Sequence, residues 1–181
     1  MGGGLIGARE ITRVALMAAL TASGAFIRIP LPYVPLTLQT VFVLLAGAML
    51  GARLGALSQI IYLTVGLAGV PVFAGGGGPG YVLQPTFGYL IGFIGGAYLV
   101  GRLIEDRTTG YISILQTMFS GLGVIYLCGI IYLYLNLNFI TGKEIGLGTV
   151  IKIGLLIPLP GDVVKTLLAA LVATKLRRAG L

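Results

Sequence analysis

The chain has 181 residues, of which 57% are hydrophobic and 9% charged, against roughly 25% charged in an ordinary soluble domain. With a mean hydropathy of +1.03, this composition marks an integral membrane protein with no separate soluble domain. The net charge of +7 is read as basic loops on one side of a bilayer rather than a nucleic-acid surface. With no His and a single Cys, Cys128, disulfides, Cys/His metal sites and His-based catalysis are excluded within one chain.

About 20 apolar residues are needed per crossing, and apolar runs broken by Pro, Gly and charge clusters predict helices over about 10–29, 36–53, 55–70, 84–104, 111–135 and 158–176. The expected fold is therefore an all-α bundle of six transmembrane helices, forming a single membrane domain over residues 1–181. Segment 145–157 reads either as an interfacial helix or as an early start of the last span, interrupted at Pro158 and Pro160. A signal peptide is the alternative reading of LMAALTASGA, but that run continues as one span into Phe26 and Ile27. Placing the N-terminus inside gathers Arg9, Arg13, Arg53, Arg102, Arg107, Lys175, Arg177 and Arg178 on the cytoplasmic side. Only Arg28, Lys143 and Lys152 are left outside, so both termini are expected in the cytoplasm.

Small residues recur at helical spacing along these runs. Ala15, Ala18, Ala19 and Ala22 share a face of the first span, Gly47, Gly51 and Gly55 repeat along the second, and Gly88, Gly92 and Gly96 along the fourth. Such stripes let backbones approach closely where lipid supplies little hydrophobic drive between helices. Each serves either packing within the chain or docking to another membrane protein, and the alanine face is the better docking candidate.

Between the third and fourth spans lies GVPVFAGGGGPGYVLQPTFGY, residues 69 to 89. Its glycine run is not followed by the Lys-Ser or Lys-Thr of a P-loop, so no ATP site is expected here. The segment reads either as a flexible turn or as a lid whose backbone approaches a ligand. Phe73, Tyr81 and Tyr89 would then supply walls with polar tips.

The last span, PLPGDVVKTLLAALVATKLRR, carries Asp162 and Lys165 near its start. At 100° per residue these share a side with Thr166, Ala169 and Ala173, while Val164, Leu167, Leu168 and Leu171 cover the opposite, lipid-suited side. A charge at mid-membrane costs about 2.5–3.5 kcal/mol even on the lenient insertion scale, so the polar side must face the bundle or a wet cavity. Asp162 also gains from the positive end of the helix dipole. One reading is an internally neutralised ion pair. The other is a clamp for a small bipolar solute.

Three blocks together resemble one family: IPLPYVPLTLQTVFVLLAGAMLGARLGALSQIIYLTVGLAGVPVF, GGGGPGYVLQPTFGYLIGF and PLPGDVVKTLLAALVA. They look like the BioY family, the biotin-binding S components of energy-coupling factor transporters. The resemblance implies a six-helix S component that captures biotin outside and delivers it to a transmembrane coupling (T) component with two ABC ATPases. By resemblance, Asp162 would accept from the ureido ring of biotin and Lys165 would pair with its valerate carboxylate, a chemistry that suits a carboxylate and an ammonium. Gln39, Gly77 and Tyr89 match other positions of the family motif, and Ala15 and Ala19 match its A-x-x-x-A docking motif. Gln84 and Phe87 stand where many members have glycine. This bulky pair could reshape the pocket rim or pack on a neighbouring helix, and Gln84 could itself hydrogen-bond the solute. No cofactor, metal or nucleic acid is expected, and membrane lipid is the surrounding partner. The alternatives are an S component for another small vitamin and a membrane enzyme acting on a small or lipid substrate. Against the enzyme stand the lack of His, of G-x-S-x-G and of an acidic metal cluster.

Overall fold

In a computed structural model, residues 7–105 and 110–179 are described; Arg107 lies outside them. Helix α1 (Ala8–Phe26) begins where Glu10 Oε2 accepts the Gly7 N–H at 3.0 Å. The chain then forms a two-residue antiparallel ladder of β1 (Arg28–Ile29) with β2 (Leu36–Thr37), pairing Arg28 with Thr37. Next come α2 (Gln39–Leu67), a 3-10 turn at Pro79–Leu83, α3 (Phe87–Glu105) and α4 (Tyr111–Leu135), which widens into a π turn over Asn136–Ile140. A short α5 (Leu147–Ile151) runs through a second π turn, Lys152–Leu156, into α6 (Leu159–Arg178).

Among the described residues four helical runs, not the six expected, are long and apolar enough to cross a membrane: Gln39–Leu67, Phe87–Glu105, Tyr111–Ile140 and Leu147–Arg178. Helix α1 is not among them, because Arg9, Glu10 and Arg13 occupy its first turns. The second and third expected spans are joined in α2, which Gly51 breaks into two helical arms. Segment 145–157 enters the last span rather than lying apart from it.

The bend is sharp. Gly51 has φ 79° and ψ −179°, a conformation essentially confined to glycine. In an unbroken helix residues eight apart lie about 12 Å from one another, yet a β-carbon built on Gly55 falls 2.9 Å from the Gly47 Cα. The two arms of α2 thus fold against each other glycine to glycine. Gly47 and Gly55 form a packing face, as their spacing predicts, whereas Gly51 is the corner between them. The broken ends are capped from elsewhere in the bundle: Arg177 Nη1 donates to the Ala48 carbonyl at 2.8 Å, and the Ala52 N–H donates to Glu105 Oε1 at 3.1 Å.

The glycine stripe of α3 packs on α4. A β-carbon at Gly88 would strike Tyr132, at Gly92 the Ile125 backbone and at Gly96 the Gly121 carbonyl. The alanine stripe of α1 divides: Ala18 is buried and Ala22 half-buried, while Ala15 and Ala19 are exposed. The start of α1 and the end of α6 lie at the Gly51 end of the bundle. Arg13 shares a groove there with Met49 and Leu50, and Arg177 reaches Ala48. At the opposite end Lys143 Nζ donates to the Tyr33 hydroxyl at 3.2 Å, joining the loop before α5 to the β hairpin.

Candidate functional site

Helix α6 buries the side that its spacing selects. Asp162, Lys165, Thr166, Ala169 and Ala173 are buried, whereas Val164, Leu167, Leu168 and Leu171 are exposed. Pro158 and Pro160 flank its start, where a missing N–H costs nothing, and Asp162 sits in the first turn beside the helix dipole's positive end. Lys165 Nζ meets Asp162 Oδ1 at 2.5 Å and donates to the Thr37 carbonyl at 2.5 Å. Among the described residues Oδ1 has no hydrogen-bond partner, so its contact with the ammonium is an ion pair that leaves acceptor capacity. Oδ2 accepts from the Tyr126 hydroxyl of α4 at 2.5 Å.

This pair lies in the wall of a cavity at the end of the bundle opposite Gly51. The cavity is lined by side chains from the hairpin, α2, the glycine loop, α3, α4 and α6. Its apolar walls include Leu90, Phe93 and Ile125; Thr37, Gln39, Thr86 and Tyr126 supply polar points beside the ion pair. A few converging polar groups in a largely apolar concavity are the ordinary makeup of a small-molecule site. Among the described residues no group of His, Cys, Asp or Glu could hold a metal ion.

The residues read from sequence fall into two sets. Asp162, Lys165, Gln39 and Tyr89 line the cavity together. The Tyr89 hydroxyl is engaged, donating to the Gly154 carbonyl at 2.7 Å and so fixing the approach to α6. Gly77 and Gln84 do not line it. Gly77 packs on the Val70 carbonyl, so its lack of a side chain serves the turn. Gln84 is exposed and uses its backbone, donating its N–H to the Tyr81 carbonyl at 3.0 Å and accepting from Phe87 N at 3.0 Å. Phe87 is buried against Tyr132, with ring centroids 5.7 Å apart, so its bulk packs on α4.

The glycine-rich segment is held at both flanks. Phe73 fills the space over Gly66 and contacts Tyr62 and Tyr81, with centroids 5.3 and 4.5 Å away; it supports the wall rather than lining the cavity. Gly78 N donates to the Gly66 carbonyl at 2.7 Å. On the other flank Asn136 Nδ2 donates to the Leu83 carbonyl at 2.8 Å, and the Tyr132 hydroxyl donates to Val82. Tyr126, Thr37 and Tyr62 are participants that sequence reasoning missed. Tyr126 lies three residues from Gly129, whose missing side chain makes room for the Tyr89 ring; that pairing of aromatic with glycine was the available signal.

The family model described as BioY family matches residues 3–180 of the chain. The chain belongs to the BioY family. It is 44% identical over 170 residues to the probable biotin transporter BioY of Lysinibacillus sphaericus, covering 92% of this chain and 86% of that protein. The biotin transporter BioY of Thermotoga maritima is 37% identical over 171 residues, covering 94% and 96%. Among solved structures, the 2.1 Å crystal structure of the S-component for biotin from an ECF-type ABC transporter matches with a TM-score of 0.82 and 28% identity, over 94% of this chain and 91% of that one. This BioY chain has the S-component fold, and with its apolar helices it is a multi-pass membrane protein.

Proposed function

We propose that this BioY protein captures biotin at the cavity beside Asp162 and Lys165 and serves as the substrate-specific S component of an energy-coupling factor transporter. The observation that carries the reading is the buried Asp162–Lys165 pair in an apolar-walled cavity. Biotin is bipolar: its ureido ring offers N–H donors to a carboxylate, and its valerate tail offers an anion to an ammonium. Ligand entry would exchange the contacts that Lys165 makes with Thr37 and Asp162 for a carboxylate, and would use the acceptor capacity of Asp162 Oδ1. Gln39 and Tyr89 shape the same cavity. The role is binding and delivery rather than catalysis.

Uptake draws its energy from a T component and two ABC ATPases. Ala15 and Ala19 suit the docking face, since both are exposed on α1 and small enough for close helix contact. Arg9, Arg13, Arg53, Arg102, Lys175, Arg177 and Arg178 belong to the end of the bundle where α1 starts and α6 ends, which supports placing that end in the cytoplasm. The cavity then opens outward.

Equilibrium binding of labelled biotin to the detergent-purified chain, without ATP or partners, tests the reading. Saturable binding displaced by biotin and not by riboflavin or thiamine is expected. Displacement by either competitor, or no binding by folded protein, would overturn it.

A further inference from the structure

A chain of buried hydrogen bonds leads from the ion pair to the glycine-rich segment. Lys165 donates to the Thr37 carbonyl, and Thr37 Oγ1 donates to Gln39 Oε1 at 3.1 Å. Gln39 Nε2 donates to the Tyr62 hydroxyl at 2.6 Å, and Tyr62 donates to the Val72 carbonyl at 3.2 Å. Thr37, Gln39 and Tyr62 are all buried, Tyr62 at 2% exposure. Tyr62 does not line the cavity, and its hydroxyl has a single proton.

The direction of each bond matters. Tyr62 can give its proton to Val72 only because Gln39 presents its amide N–H₂, and Gln39 does so because Thr37 Oγ1 takes up its carbonyl side. Turning the amide over would place an acceptor against Tyr62 and draw its proton away from Val72. Val72 adjoins Phe73, whose ring fills the place over Gly66 and rests on the cavity wall residue Tyr81. Backbone bonds to α2 hold the two ends of segment 70–78, Val70 N to the Val65 carbonyl at 3.3 Å and Gly78 N to the Gly66 carbonyl at 2.7 Å, and between them the Phe73 ring and the Tyr62–Val72 bond tie its middle.

We propose that Tyr62 is a positioning residue for ligand retention: through its bond to Val72, oriented by Gln39, it holds the 70–78 segment against the cavity without touching the ligand. The proposal rests on the biotin-capture reading for its kinetic consequence, not for the tether. Losing one intramolecular hydrogen bond of ordinary strength corresponds to roughly a five-fold effect. It falls on escape, because the segment is an obstacle that a departing ligand must move.

The test is Tyr62→Phe, which keeps the ring against Phe73, in the full chain in detergent. Two measurements are made: amide hydrogen exchange of residues 70–78 without ligand, and the association and dissociation rates of labelled biotin. Expected are faster exchange confined to that segment and a dissociation rate raised about five-fold, with association changed less than two-fold. Gln39→Glu, which replaces the donating amide by an acceptor, should speed exchange of the same segment, and the double variant should exchange no faster than Tyr62→Phe. Unchanged exchange, additive effects, or faster exchange with an unaltered dissociation rate each overturn the proposal. If the unaltered chain does not bind biotin, the capture reading fails on its own account, and the exchange data alone decide the tether.

Discussion

Tyr126 and Asp162 meet across the interface of α4 and α6, the hydroxyl 2.5 Å from Oδ2. The carboxylate, at 7% exposure, is thereby held by a hydrogen bond from Tyr126 at one oxygen and an ion pair with Lys165 at the other. A charge buried in this way is tolerated because it is paired and hydrogen-bonded. One carboxylate oxygen faces a neutral hydroxyl and the other an ammonium, so the two oxygens stand in different electrostatic surroundings.

Asp162→Asn should weaken biotin binding while leaving the fold intact. The amide keeps the shape and loses the charge, and hydrogen bonds to charged groups contribute about 1.5–3 kcal/mol. Equilibrium binding of labelled biotin should therefore show a Kd raised by about ten-fold or more, with the size-exclusion profile unchanged. Unaltered affinity would make the pair purely structural.

Lys165→Met should remove the preference for a free carboxylate. The unaltered protein is expected to bind biotin more tightly than biotin amide, since only the acid can pair with the ammonium. In the variant the two ligands should compete within about two-fold of each other. A preference that survives would place the anion site elsewhere.

Enlarging Ala15 and Ala19 together to Leu should abolish copurification with the T component and spare biotin binding by the isolated chain. Both residues are exposed, so the added volume meets a partner or lipid rather than the core. Loss of both properties would assign the pair to internal packing. Val14 and Ala18, buried on the adjacent face, are the positions where larger side chains should disturb the fold itself.

Gly51→Ala and Gly123→Ala should part company in a thermal unfolding assay. Alanine at position 51 must adopt φ near 79° and crowd Glu105 Oε1 at 2.7 Å, and strain of this kind costs about 1–3 kcal/mol. Gly123 lies within α4 with nothing within 4 Å of an added β-carbon, where alanine should be neutral or stabilising by up to about 1 kcal/mol through helix propensity. Equal midpoints for the two variants would show that the corner at Gly51 is not under backbone constraint.

Which side of α6 is buried was legible in the sequence, because a regular helix fixes side-chain direction and lipid permits few exceptions for Asp and Lys. The close approach of α3 to α4 was legible from Gly88, Gly92 and Gly96 for the same reason. The corner at Gly51 was not. A glycine every four residues reads as one continuous groove, and only the backbone angles separate the hinge from its two flanking contact residues. Tyr62 and Tyr126 escaped notice because a tyrosine in an apolar run looks like an interfacial anchor. What their hydroxyls bond, Val72 ten residues on and Asp162 thirty-six residues on, is decided by how helices meet. That Gln84 is exposed and does not line the cavity was not legible either, because it follows from the 3-10 turn at Pro79–Leu83, where its backbone does the bonding.

The corner in α2 has a consequence for the order in which the molecule is completed. Its two severed helix ends are an acceptor at Ala48 and a donor at Ala52, and their partners, Arg177 and Glu105, lie 129 and 53 residues further along the chain. During synthesis the donor waits for the end of α3, and the acceptor waits for the last turn of α6. Each charge matches the dipole of the helix end it meets, the guanidinium at a C-terminus and the carboxylate at an N-terminus. The final turn of α6 is thus a closing stitch for an early fold of the chain, and shortening the C-terminus before Arg177 would loosen a helix built near the beginning.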